Sequence, residues 1–224
     1  MSNILVTGGL GFIGSNFISK IIDKEDFIVN VDSETYACVD KSFLSFESNQ
    51  NYSHYNIDIS NYQNVNEIIK KYSFDIIFHF AAESHVDNSI ESSFEFCNTN
   101  VIGTLNLLES YHKLNKKNKL FVHVSTDEVF GSIKEGFFDE NSNYKPNSPY
   151  SASKASSDHF VRSYFETHNL PAIITNCSNN FGPYQNKEKF IPTIISSLIN
   201  KKNIPVYGDG KNIREWIHVE DHVD

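Results

Sequence analysis

From the third residue onward, short apolar runs alternate with stretches whose apolar residues recur at helical spacing, and this alternation restricts the possible folds more than any other feature of the chain. Asn3–Thr7 is an apolar run ending in Gly8-Gly9 and reads as a buried strand. Ile13, Phe17, Ile18, Ile21 and Ile22 then predict an amphipathic helix over 11–24. Further strands are predicted over 27–31, 52–58, 75–80, 119–125 and 171–176. Ser60 and Gln63 have the spacing of a capping box, opening a helix whose buried face is Val65, Ile68 and Ile69. Helices are also predicted over 92–116, 150–168 and 191–201, with a polar, proline-bearing loop over 141–149.

Strands that alternate with helices imply right-handed crossovers and a parallel sheet covered on both faces, so the fold class is α/β, doubly wound. The pattern loosens after Asn176, where glycine, proline and asparagine multiply. A main domain is therefore expected over 1–176 and part of a smaller lobe over 177–224. With 39% hydrophobic and 13% aromatic residues, the chain can bury a sizeable core. Its net charge of −9 argues against nucleic-acid and acidic-membrane partners. No apolar run approaches the ~18 residues of a membrane span, and the first residues do not resemble a signal peptide. Cys38, Cys97 and Cys177 are far apart with no CxxC, so neither disulfides nor a metal site is expected, and a reducing cytoplasm is the default location.

Gly8, Gly11 and Gly14 form a GxxGxxG loop between the first strand and the first helix. Glycines there allow a tight turn, close backbone approach to a pyrophosphate and close helix–strand packing. The helix N-terminus offers free N–H groups and a positive dipole end to the anion. Asp32, at the end of the next strand, is placed to accept both hydroxyls of an adenosine ribose and to repel a 2′-phosphate, which favours NAD over NADP. The fold is thus expected to be of the dinucleotide-binding, Rossmann type.

Tyr150-Ser-Ala-Ser-Lys154 puts a phenol and an ammonium on one helix face. A tyrosine with a pKa of ~10 is a poor base at neutral pH unless a cation stabilises its phenolate, and Lys154 is that cation. Tyr207 and Lys211 repeat the spacing, but the glycines between them argue against a helix. Ser125-Thr126-Asp127-Glu128 closes the fifth strand, where ligands of open α/β sheets bind. Two adjacent acids are more than an alcohol dehydrogenase needs; they suit paired proton abstraction and leaving-group protonation. A solvated acidic loop is the other reading of these two residues. His79 and His123 read as core histidines or as histidines behind a site, His85 as a structural residue near one, and Lys116-Lys117 and Lys201-Lys202 as solvated helix ends.

The combination TGGLGFIGSNF, DSETYA, HFAAESHVDNSI, STDEVFG, YSASKASSDH and NCSNNFGPYQ resembles the dTDP-glucose 4,6-dehydratase family of extended short-chain dehydrogenases/reductases, in family order along the whole chain. The resemblance implies a hydro-lyase that binds NAD and acts on dTDP-glucose or a related nucleotide sugar, yielding a 4-keto-6-deoxy sugar of the kind destined for polysaccharide sugars such as rhamnose. By the same resemblance, Tyr150, with Lys154, takes the C4 hydroxyl proton while the C4 hydride passes to NAD, Glu128 removes the C5 proton, Asp127 protonates the C6 oxygen and Thr126 bonds the sugar near C4. Phe12, Ile13, Asp32, Thr35, Asp58, Ile59, Phe80, Ala81, Ala82, Ser84, Thr99 and Asn180 match cofactor positions, beside the three glycines, Tyr150 and Lys154. Ser84, Thr126, Asn179, Lys189, Pro205, Tyr207 and Arg214 match positions around the nucleotide sugar. Arg214 is one of only two arginines, and its planar fork suits a diphosphate, whereas a plain surface charge is the alternative.

The resemblance further implies a homodimer built on the 92–116 and 150–168 helices. Phe130 departs from the family pattern STDEVYG by one hydroxyl. Family members usually continue well past this chain's last residue to complete the sugar lobe, so a fragment or a natural truncation is implied. Two other functions stay open at this point: an epimerase, decarboxylase or UDP-sugar dehydratase on the same fold, or an NAD-binding module without turnover.

Overall fold

β1 (Asn3–Thr7) runs through the middle of the sheet, and successive side chains on it leave in opposite directions. In the computed structural model, which describes residues 2–206 and 209–224, Leu5 joins a core cluster that includes Ile68, Ile69, Leu107, Leu108, Tyr111 and Val161. Ile4 and Val6 join another on the opposite face, with Phe17, Ile18 and Ile22. Both faces of the sheet around β1 are thereby shielded from water, the arrangement a parallel sheet requires, while the edge strand leaves Ile173 half exposed.

The main sheet has the order β3-β2-β1-β4-β5-β6, all parallel, with β2 at Phe27–Asp32, β3 at Tyr52–Asn56, β4 at Ile76–His79, β5 at Leu120–Thr126 and β6 at Ala172–Cys177. Val29, Leu5, Ile77 and Phe121 stand side by side across it, all fully buried. The direction of strand addition reverses between β1 and β4, leaving a crevice at their carboxyl ends. The expected doubly wound, Rossmann-type fold is the one observed.

α1 (Phe12–Ile21) and α2 (Tyr62–Tyr72) bury the predicted faces, but α2 does not start with a Ser60/Gln63 box. Asn61 caps it instead, accepting from Asn64 N–H, while Ser60 N–H is taken by Asp58. The helix predicted over 92–116 is three pieces: α4 (Ser93–Phe96), a wide π-wound segment (Cys97–Gly103) and α5 (Thr104–His112). A short α3 (Val86–Glu91) precedes them, in a stretch with no apolar periodicity. α6 (Pro149–His168) and α7 (Phe190–Ile199) lie where helices were expected. A second, two-stranded parallel sheet of β7 (Asn179–Phe181) and β8 (Trp216–His218) was not expected, since three-residue strands carry no readable period. α8 (Val219–Val223) returns to the main sheet, where Val223 packs on the α1-side core and Asp224 pairs with Lys20. No described helix is long and apolar enough to cross a membrane.

Candidate active site

Two clefts open at the carboxyl ends of the strands, of about 470 and 350 Å³, and they share Gly8, Gly11, Ala37, Phe80 and Ala82. The backbone shape at their junction depends on the glycines. Gly8 has φ +74°, and a Cβ there would stand 2.6 Å from Ala81 N. A Cβ on Gly14 would overlap the Gly8 carbonyl oxygen. Gly11 caps α1 without any side-chain hydrogen bond, so the first-turn N–H groups remain available to an anion. A dinucleotide laid across the sheet fits this cradle.

Asp32 lines the smaller cleft. Its carboxylate also accepts from Leu10 N–H at 3.0 Å and Glu34 N–H at 2.9 Å, so the predicted ribose acceptor anchors the glycine loop as well. Thr35, Asp58, Ile59, Ala81 and Thr99 stand on the same wall. Thr99 arrives from the π-wound segment, and Glu83 and Glu95, which sequence reasoning did not single out, stand beside it. Burial, helped by Glu95, raises the Glu83 carboxyl.

The larger cleft collects Phe12, Ile13 and Gly14 from α1, Ser84 beyond β4, and Asn179, Asn180 and Lys189 from the C-terminal part. It also holds Thr126, Asp127, Glu128, Tyr150 and Lys154. Local structure explains their convergence. β5 ends at Thr126, whose hydroxyl accepts from Glu128 N–H at 3.3 Å and caps a 3₁₀ turn over Asp127–Phe130. Phe130 is buried there against Phe138 and Tyr144. α6 begins one residue before Tyr150 because Ser148 and Ser151 cap each other reciprocally and Pro149 occupies the first turn. Lys154 follows one turn later, 3% exposed, with Nζ donating to Val124 O at 3.0 Å.

The electrostatics divide the residues by role. Burial raises Asp127; burial and the neighbouring Asp127 raise Glu128. Two carboxyls held above their ordinary range can divide acid and base work near neutral pH. Burial, then the Glu128 charge, raises the Tyr150 phenol, with the Thr126 hydroxyl opposing. Lys189 Nζ donates to Ser84 O at 3.3 Å, and its charge is felt at Glu128.

Pro205 and Arg214 are not brought to the cleft walls: both are exposed, and Arg214 donates to its neighbour's carbonyl, Ile213 O. The Arg214 charge nonetheless opposes the rise at both Asp127 and Glu128. Tyr207 lies outside the described residues. His79 bridges Thr7 and Thr104 by hydrogen bonds of 2.6 and 2.9 Å, as a core histidine. Tyr36, His85, Cys177 and Trp216 line the larger cleft without having been singled out as binding residues. Asp158, behind the cleft, does carry a readable signal: it continues the four-residue spacing of Tyr150 and Lys154.

The family model described as GDP-mannose 4,6 dehydratase matches residues 5–224. The dTDP-glucose 4,6-dehydratase of Haemophilus influenzae is 48% identical over 233 residues, covering 100% of this chain and 69% of that protein. That of Neisseria meningitidis is 47% identical, covering 99% and 65%. Among solved structures, DesIV, the dTDP-glucose 4,6-dehydratase of Streptomyces venezuelae, determined with NAD bound, superimposes with a TM-score of 0.92 at 42% identity, covering 99% of this chain and 69% of its own. The chain thus spans about two thirds of the length of these relatives. With the glycine cradle, the paired acids and the phenol–ammonium pair gathered on one parallel sheet, and with likeness of this degree over nearly every residue, the chain belongs to the dTDP-glucose 4,6-dehydratase family.

Proposed function

We propose that this chain carries the NAD-binding and catalytic part of an enzyme that converts dTDP-glucose to dTDP-4-keto-6-deoxyglucose with loss of one water. The observation that carries the reading is the gathering of Thr126, Asp127, Glu128, Tyr150 and Lys154 in a cleft continuous with the dinucleotide cradle. NAD, when bound, supplies a place for the hydride removed from C4 and later returned to C6. Tyr150, its phenolate favoured by Lys154, takes the proton of the C4 hydroxyl. The ketone at C4 makes the C5 hydrogen acidic. Glu128 takes that proton, and Asp127 protonates the C6 oxygen, which leaves as water. Thr126 hydrogen-bonds the sugar near C4. Ser84, Asn179 and Lys189, on the cleft wall, contact the nucleotide sugar; Pro205, Tyr207 and Arg214 are assigned to it by sequence resemblance alone, with the Arg214 fork suited to its diphosphate. The NAD-binding domain comprises 1–176, and 177–224 is part of the sugar lobe.

The dehydratase reading predicts that the protein, incubated with NAD and dTDP-glucose, yields a product lighter by one water by mass spectrometry. An isomer of unchanged mass would favour an epimerase; an unaltered sugar beside tight NAD binding would reduce the chain to a cofactor module. Asp32→Ala is expected to weaken NAD binding ~tenfold or more by calorimetry, since a charged acceptor of the ribose and of Leu10 N–H is lost together. We also propose a homodimer through α4–α6, where Phe94, Ile102, Phe160 and Phe165 are exposed. A cytoplasmic setting suits the three free cysteines.

A further inference from the structure

Asp158 sits behind the cleft. It lies one turn beyond Lys154 on α6, 1% exposed, and does not reach the cleft wall. Its Oδ2 accepts from the hydroxyls of Ser125 at 2.8 Å and Tyr144 at 3.0 Å. Its Oδ1 has no donor in good hydrogen-bond geometry but lies 3.2 Å from Nε2 of fully buried His123. That same nitrogen is 3.3 Å from Lys154 Nζ. The imidazole therefore stands between a buried carboxylate and a buried ammonium.

A desolvated carboxylate with an unpaired oxygen needs a balancing positive charge nearby. The titratable groups facing this cluster are His123 on β5, His79 on β4, Cys177 on β6, Tyr144 from the loop before α6, and Tyr150 and Lys154 on α6, with Asp127 and Glu128 on the cleft side. Burial and Lys154 push His123 down to about 4, and burial and His123 push His79 well below its ordinary value, so both rings are neutral at neutral pH. Lys154 is the positive charge among these groups. Burial pulls its ammonium down, and Asp158 is the foremost influence pulling it back up.

We propose that Asp158 is a positioning residue for the oxidation step: the interior counter-ion that, across His123, keeps Lys154 protonated and so maintains the charge that lets Tyr150 ionise. The inference rests on the reading of Tyr150 and Lys154 as the pair that takes the C4 hydroxyl proton. The sign follows directly. Without the carboxylate, burial alone acts on Lys154, which loses its proton at lower pH; Tyr150 then loses its cation and ionises only at higher pH. If Asp158 acted merely by repelling the phenolate, its removal would move the profile the other way.

Asp158→Asn keeps the shape and an acceptor for the two hydroxyls while removing the charge. In rapid mixing with dTDP-glucose, formation of reduced nicotinamide is expected to reach half its maximum ~1 pH unit or more higher than in the parent. At neutral pH its rate is expected to fall ~tenfold or more. Tyr144→Phe, which removes a neutral hydroxyl donor from the same carboxylate, is expected to leave the profile in place. An Asp158→Asn profile that stays or moves down, or a Tyr144→Phe profile that moves equally, overturns the proposal. Nitrogen NMR of the Lys154 side chain in the NAD-bound parent needs neither turnover nor a folded variant: a protonated ammonium at neutral pH is expected, and a neutral amine overturns the counter-ion role. If the parent shows that ammonium but yields neither reduced nicotinamide nor dehydrated sugar, the functional reading fails and the counter-ion stands.

Discussion

Glu128→Gln is expected to turn the protein into one that oxidises its sugar and stalls. Glutamine keeps the length and polarity of the side chain but cannot take the C5 proton, so overall turnover should fall ~10²–10⁴-fold, the usual contribution of a positioned general base. The first oxidation depends on Tyr150 and Lys154, both untouched. It should proceed at least as readily, because the Glu128 charge is among the causes that raise the Tyr150 phenol. Reduced nicotinamide should therefore accumulate in absorbance measurements while the dehydrated product disappears from the mass spectrum. Turnover that continues without such accumulation would remove Glu128 from the role of C5 base. In the parent, burial and Asp127 raise the Glu128 carboxyl, so elimination should weaken on acidification at a pH above the ordinary carboxylate range.

Gly14→Ala should have an effect as large on cofactor binding. The added methyl would overlap the Gly8 carbonyl oxygen and come within 2.9 Å of Gly9 Cα, both backbone atoms in the turn that forms the cradle. Neither is the end of a flexible side chain, so either α1 or the loop must shift. Overpacking of this kind costs ~1–3 kcal/mol, and a displaced loop no longer presents its N–H groups to a pyrophosphate. We expect NAD affinity by calorimetry to drop ~100-fold or more, with the thermal midpoint lowered as well. A Gly14→Ala protein that binds NAD like the parent would show that the glycine spacing serves only the turn.

Much of this was legible because the sheet advertises itself. β1 and the glycine turn are bounded by a switch from an apolar run to helical spacing. The start of α2 was misread because Ser60 and Asn61 are both cap-forming residues; Asp58 occupies the Ser60 N–H and leaves the cap to Asn61. The broken helix over 92–116 was illegible for another reason. Its apolar spacing fits a regular helix, whereas its winding answers to long-range partners: Asn100 bonds Glu83 and Ser153, and Gly103 admits Ile59 where a Cβ would stand 2.6 Å from Ile59 Cδ1. On the sugar side, the short strands β7 and β8 and the exposed stretch 209–215 lack any period. Matches at Pro205 and Arg214 therefore rested on motif resemblance alone, without a local structural reason to place them. Asp158 was written in the helix spacing all along, but only its neighbours in space give that spacing a meaning.

The π-wound segment has a consequence for how this protein tolerates change. Its wider coil resets the angular phase between α4 and α5, so that Thr99 and Asn100 look toward the cofactor groove and α6 while Leu107, Leu108 and Tyr111 still seat on the sheet. Three helical segments in succession thus serve two surfaces whose directions a uniform helix would have locked together. Substitutions that retune the groove end are thereby decoupled from the register of the core end, which gives the chain a joint along which its binding chemistry can drift while its scaffold stays fixed.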